Sequence, residues 1–179
     1  PDVAVDAITI VEVVTAIAAF EERLWELTDT PFDDFLGSVG DPGDDAALGE
    51  VERRGAALFF GDAGCAHCHD GPLLSDGEFH AIGVPQLGPG RDDQRLDEGR
   101  FLVTGDPADR FAFRTPPLRN VALTSPYMHD GAYASLDQAV RHHLDPVGAL
   151  EGYTGWELPA DLQSQVRFEA SDAIAASID

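Results

Sequence analysis

Cys65-Ala66-His67-Cys68-His69 is the stretch of this chain whose residue types and spacing could do chemistry. A Cys-x-x-Cys-His run reads as a c-type haem attachment site. Two thiols separated by two residues reach the two vinyl groups of one haem, and the next residue turns its imidazole onto the iron. In this reading Cys65 and Cys68 hold the porphyrin and His69 is the proximal ligand. Three other readings are weaker. A structural zinc site wants a second Cys/His pair at matching spacing, and the chain has only 2 Cys, both in this run. A thioredoxin-like redox pair belongs to a βαβ context, which the sequence does not show. A plain Cys65–Cys68 disulfide leaves His69 unexplained.

The 179 residues are one domain's worth of chain with room for an extra arm. An apolar content of 44% is enough to build a core. The charge is unusual: 33 acidic residues face 11 basic ones, all Arg, for a net charge of −22. Such a surface repels nucleic acid and anionic membranes, and it favours a basic partner. Solvation in a salty habitat, or a GC-rich genome, explains the same composition without a dedicated docking patch. No run approaches the length of a transmembrane helix. Covalent haem c attachment takes place outside the cytoplasm. A periplasmic or otherwise extracytoplasmic location is therefore expected, with a leader removed or lying on sequence outside this chain.

The elements that must position the motif follow from periodicity. Residues 9–28 read as a helix, with Val13, Ile17, Phe20 and Leu24 at three- and four-residue steps. Residues 28–49 are rich in Asp, Gly and Pro and read as a linker with a turn of helix near 32–36. A second helix is predicted over 48–60, with Val51, Leu58 and Phe59 inward and Gly61 near its end, feeding directly into the Cys65–His69 turn. Residues 71–110 are poorly periodic, and a loop of that length is usually functional or wrapped around something. Phe79, Ile82, Val84, Leu87 and Phe101 could pack on a haem. Residues 135–144 read as a helix with Leu136, Ala139, Val140 and His143 on one face. Ser135 and Gln138 form a capping-box pattern at its start. Residues 152–164 read as an irregular loop holding Trp156, and 161–178 as weakly helical. The acidic pairs Asp33-Asp34, Asp44-Asp45 and Asp92-Asp93 lack a spaced third ligand and read as solvated surface. The fold class expected is mainly α, a cytochrome c-like haem domain with long irregular haem-covering loops.

A longer motif follows: Arg114-Thr115-Pro116-Pro117-Leu118-Arg119-Asn120-Val121-Ala122-Leu123-Thr124-Ser125-Pro126-Tyr127-Met128-His129-Asp130-Gly131-Ala132-Tyr133. It resembles the second haem domain of bacterial dihaem cytochrome c peroxidases and the related MauG enzymes. The resemblance takes in Ala16-Ile17-Ala18-Ala19-Phe20-Glu21, the Cys65–His69 run and the helix at 134–144, and covers about residues 9–162. It implies three segments. Residues 1–28 are a helix resembling the end of a preceding haem domain, 29–47 a linker, and 48–179 the haem domain. The family's Leu- and Phe-rich closing helix is not clearly matched by 166–178, so the chain reads as an excerpt of a longer protein or half of a split one.

The same resemblance implies a ligand set. The family's second iron ligand lies in the helix after His-Asp-Gly, as Met in typical peroxidases and Tyr in MauG-type enzymes. The alignment puts His143 there, 74 residues from His69 (143 − 69). Two imidazoles give a lower potential than His/Met, because the thioether stabilises reduced iron. The alternative is that His143 packs on the apolar face while His142 points to solvent. Met128, the single Met, is read as packing beside the haem first and as a rival ligand second. His129 has a structural or inter-haem role by resemblance, with Asp130 orienting its ring; a satisfied turn histidine is an equal reading. His80 could be an edge contact. Arg114 resembles a position that pairs with a haem propionate, and Arg119 is a second candidate; a surface Arg among many Asp is the plainer reading. Thr124 and Pro126 match positions whose backbone carbonyls bind calcium between the family's two domains. The residue for acid/base work on peroxide sits in the family's first domain, so none is assigned here.

The expected function is electron relay by one covalent haem c, within a cytochrome c peroxidase-type oxidoreductase. Electrons would come from a small donor, a cytochrome c or a cupredoxin. They would reach a peroxide-reducing haem in a second haem domain, with hydrogen peroxide as the family substrate. MauG-like oxidation of a partner protein's aromatic residues and a stand-alone monohaem carrier are the alternatives. Neither a nucleic-acid partner nor a membrane span is expected.

Overall fold

Thr9 opens the first helix by a reciprocal cap. Its backbone N–H and hydroxyl donate to the Glu12 carboxylate at 2.8 and 2.9 Å, and the Glu12 N–H donates back to Thr9 Oγ1. Orphan donors at a helix start are satisfied this way without help from the rest of the fold. The helix, α1, spans Ile10–Leu24. Thr30 and Asp33 repeat the device at α2, Pro31–Ser38, where Pro31 takes the first helical position. Helix α3, Glu50–Phe60, begins with the Gly49 N–H on the Glu52 carboxylate and the Arg53 guanidinium on the Leu48 carbonyl. The computed structural model describes residues 8–24, 29–38, 47–88 and 96–178. The expected helix end at 25–28 and the pairs Asp44-Asp45 and Asp92-Asp93 lie outside the described residues.

The chain divides within α3 into two compact units, Pro1–Ala57 and Leu58–Asp179. In the first, the apolar residues Val13, Ile17 and Phe20 of α1 are exposed. The inward placement expected of two α3 residues is corrected: Val51 is 80% exposed and Leu58 56%. Periodicity marks which residues share a helix face, but not what covers that face. The turn of helix expected near 32–36 proves longer, running the full length of α2.

The second unit is built from short helices around two small cores. After α3 come a 3-10 turn at Cys65–His67 and a two-residue ladder in which β1, Phe79–His80, pairs antiparallel with β2, Phe113–Arg114. Between those strands lies α4, Phe101–Thr104. Then follow α5, Leu136–Leu144, and α6, Pro146–Glu151. The stretch read as weakly helical holds α7, Ala160–Gln163, and α8, Ser171–Ala175. Phe111, Leu150, Ala170 and Ile174 form one core, and Tyr127, Ala132, Tyr133 and Ala139 the other. Burying a side chain the size of Ile174 stabilises by about 1.5–3 kcal/mol.

The segment 81–86 runs through the interior, with Ala81, Val84 and Gln86 buried. Its polar groups are matched over long sequence distances. The Asp97 N–H donates to Gln86 Oε1, the Gln86 amide donates to the Asp97 carbonyl, and the Arg167 N–H donates to the Gln86 carbonyl. Irregular backbone can be buried only if it is paired in this way. Among the described residues, no helix is long and apolar enough to cross a membrane.

Candidate functional site

Helix α3 ends in a tight turn, with the Gly61 and Ala63 N–H groups on the Leu58 carbonyl at 3.2 and 3.0 Å. Gly64 follows at φ 70°, a left-handed conformation that suits glycine, and an added Cβ would stand 3.2 Å from His67 Nδ1. The chain then makes one helical turn. The His69 N–H donates to the Cys65 carbonyl at 3.0 Å, which puts Cys65, Cys68 and His69 at i, i+3 and i+4 of a single turn. No disulfide joins the two cysteines, and both are half-buried. The spacing that motivated the haem reading therefore forms a local structure that turns all three side chains to one side.

His69 Nδ1 lies 2.9 Å from the Leu74 carbonyl. A carbonyl only accepts, so Nδ1 carries the proton and Nε2 is the free electron-pair donor. Burial, more than any other influence, holds this imidazole below its usual pKa. Leu74 presents its carbonyl from a left-handed backbone at φ 55°. His143, on α5, repeats the arrangement, with Nδ1 2.7 Å from the Ala139 carbonyl one turn back. Each ring thus keeps Nε2 for a metal, its tautomer fixed by a carbonyl behind it.

The two rings stand 6.3 Å apart between centres, with planes crossed at 62°. Two imidazoles on opposite sides of one metal ion, at about 2 Å per bond, have ring centres about 6 Å apart. The residues present therefore fit a metal held between His69 and His143, beside two thiols placed for covalent attachment. Phe59 flanks His69 at 6.4 Å.

The other sequence candidates take varied places. Met128, at φ 69°, packs against the core of Tyr127, Ala132, Tyr133 and Ala139. Arg114 is exposed on β2 and makes no ion pair with a described residue. Arg119 donates to the Pro72 carbonyl at 2.8 Å. Thr124 and Pro126 are exposed, and the Thr124 hydroxyl donates to the Val121 carbonyl. His80 pairs with Asp76 at 2.8 Å, and that hydrogen bond draws the Asp76 carboxyl down to about 2. Asp76 and His80 stand beside Cys68, their ligand atoms within 4.8 Å of one another. His129 stacks on Phe113 at 3.5 Å and faces Asp97 at 3.7 Å. The expected orienting role of Asp130 is corrected. Its two oxygens accept the Ala132 and Leu87 N–H groups, each at 3.1 Å, and burial pushes its carboxyl up to about 7.

Helix α5 carries a second correction. The capping box forms as expected, with the Ser135 hydroxyl accepting the Gln138 N–H. The buried side, however, is Ala139 and His142, while Val140 and His143 are exposed. His142 is 0% exposed and bonded at both ring nitrogens, to the Ile82 carbonyl at 2.6 Å and to the Tyr133 hydroxyl at 2.9 Å. Sequence reasoning missed this pair. Its one signal was the i, i+3 relation of Ala139 and His142.

A helical domain with two thiols and a histidine gathered on one turn has the arrangement that covalent haem attachment requires. The comparisons with known proteins narrow the class. No family model matches the chain. It is 36% identical to the cytochrome-c peroxidase IdrP1 of Denitromonas iodatirespirans, over 89% of this chain and 47% of that protein. It is 40% identical to the methylamine utilization protein MauG of Methylorubrum extorquens, over 73% of this chain and 34% of that protein. The crystal structure of a MauG-like protein associated with microbial copper homeostasis superposes with a TM-score of 0.58 at 36% identity. That match covers 77% of this chain and 45% of the other. The chain belongs to the family of cytochrome c peroxidases and MauG. It spans less than half the length of these relatives.

Proposed function

We propose that the chain is the haem c electron-transfer domain of a dihaem cytochrome c peroxidase. It would relay electrons from a small external donor, a cytochrome c or cupredoxin, to a peroxide-reducing haem on a second domain. The observation that carries this reading is the pairing of His69 with His143 at 6.3 Å, each with Nδ1 bonded to a carbonyl. A haem with both axial positions filled exchanges electrons and does not bind peroxide. Cys65 and Cys68 would form the thioethers and His69 and His143 the axial bonds. Haem c, when bound, supplies a one-electron couple. The chain's own residues hold it in place: the Leu74 and Ala139 carbonyls accept from the two Nδ1 atoms and orient both rings. Their fixed geometry lowers the reorganisation that accompanies each electron. Arg114 and Met128 would contact the haem's edge, and the Thr124 and Pro126 carbonyls would serve a calcium ion where the two domains meet. Haem c attachment implies a location outside the cytoplasm.

The MauG-like reading, oxidation of a partner protein's aromatic residues, has a specific observation in its favour. The MauG-like crystal structure aligns with 77% of the chain. Both readings use this domain as the relay and differ in where the electrons come from: a small donor protein in the first, the aromatic residues of a partner protein in the second.

The test uses the chain matured with haem c, alone and joined to the remainder of its full-length protein. The expected result is rapid reduction of the isolated chain by a reduced cytochrome c or cupredoxin, with peroxide turnover only in the full-length form. Peroxide turnover by the isolated chain at the full-length rate would overturn the relay role.

A further inference from the structure

We infer that the buried Tyr133–His142 pair is the positioning device for the second iron ligand, His143. The inference rests on the reading above that His143 ligates the iron, and it names residues that set how firmly it does so. The protons in the pair are fixed by what each atom faces. The Ile82 carbonyl can only accept, so His142 Nε2 carries the hydrogen. Nδ1 is then the acceptor, and the Tyr133 phenol donates to it at 2.9 Å. Every polar atom of the pair is satisfied, and His142 is 0% exposed.

The pair is anchored at both ends. Tyr133 exchanges backbone hydrogen bonds with Tyr127, at 2.8 and 3.3 Å. Its ring meets that of Tyr153 edge-on at 5.5 Å, and the Tyr153 hydroxyl donates to the Ala132 carbonyl at 2.6 Å. At the other end, Ile82 lies two residues past β1, and the loop between the haem-motif turn and β1 is tied back to that turn. There the Asp76 N–H donates to the Cys68 carbonyl at 2.8 Å. The His142–Ile82 hydrogen bond crosses 60 residues and ties α5 to the segment that leaves His69.

The consequence for His143 is geometric. Neighbouring residues on an α-helix point about 100° apart. Holding His142 inward at both nitrogens fixes the rotation of α5 about its axis, and so fixes where the His143 ring stands. The short helix, 9 residues, is otherwise anchored by Ala139, which is buried, and by Leu136, partly buried against the same core. Those two apolar contacts hold α5 against the core but do not fix its rotation as two hydrogen bonds do, and a displacement of a few tenths of an ångström stretches a metal–nitrogen bond.

The experiment is electron paramagnetic resonance of the ferric, haem-loaded chain, with thermal unfolding followed in parallel. Wild type should show a single low-spin bis-imidazole signal; its absence refutes ligation by His143 itself, and the positioning claim with it. Given that signal, Tyr133→Phe removes one hydrogen bond and keeps the ring. It should raise the high-spin, detached population about tenfold and shift the remaining low-spin signal. His142→Leu should do more. Ser135→Ala is the control: it weakens α5 at its cap without touching the pair, so it should lower the unfolding temperature and leave the spectrum unchanged. Superimposable spectra of wild type and Tyr133→Phe overturn the inference, whether or not His142→Leu folds. A Ser135→Ala spectrum altered as much as that of Tyr133→Phe also overturns it, because the effect would then belong to helix stability alone.

Discussion

Asp130 gives the stability of this domain an unusual dependence on pH. Its carboxyl accepts two backbone N–H groups, from Leu87 and Ala132, yet burial raises its pKa from 3.8 to about 7. The folded chain therefore holds a proton here that the unfolded chain has released. Between those two values the native state binds more protons, so the stability contribution is fully present below about pH 4 and is lost as pH rises through 7. At 1.36 kcal/mol per pKa unit, the loss approaches about 4 kcal/mol. Asp130→Asn removes the titration. It also leaves one of the two N–H groups facing an amide NH2 instead of an oxygen, a pH-independent penalty of about 1–3 kcal/mol. The variant is therefore expected to be less stable than wild type at pH 4 and more stable at pH 8. The difference between the two proteins should change by about 4 kcal/mol across that range. Urea unfolding of both at each pH measures it, and repulsion from the net charge of −22 cancels in the comparison. Parallel stability profiles for the two proteins would refute the reasoning.

Three further outcomes are expected. Gly99→Ala should lower stability by about 3 kcal/mol in urea unfolding, because Gly99 sits at φ 61° with the Ala112 carbonyl against the position of an added Cβ. Ser135→Ala removes the hydroxyl that accepts the Gln138 N–H and should destabilise by about 1 kcal/mol, read as a lower unfolding temperature. The rate of reduction by a basic donor should fall about tenfold or more between 10 and 150 mM salt in stopped-flow traces, since the net charge of −22 steers that encounter.

Local chemistry was legible in the sequence. Ser135 and Gln138 capped the helix they were expected to cap, because both partners of a capping box lie within one turn. Cys65, Cys68 and His69 likewise needed only Gly64 and one helical turn to converge. What escaped was decided at a distance. On α5 a three-to-four spacing links Ala139 equally to His142 and His143, and periodicity cannot say which of those neighbours turns inward. The Ile82 carbonyl, 60 residues away, made that choice. Asp130 read as a partner for His129, but its acceptors were taken by Leu87, 43 residues distant, and by Ala132. Val51 and Leu58 fell on a proper helical face of α3, and the face is exposed. The segment 161–178, read as weakly helical, holds the two short helices α7 and α8.

The central claim is that His69 and His143 close both axial positions of one haem. Near-infrared magnetic circular dichroism of the ferric chain, beside its His143→Gly variant, tests that claim most directly. The account predicts a bis-imidazole charge-transfer band in the wild type, replaced in the variant by a high-spin spectrum. A methionine–iron band or a high-spin wild type would contradict it, the first moving the ligand to Met128 and the second leaving this haem open to peroxide.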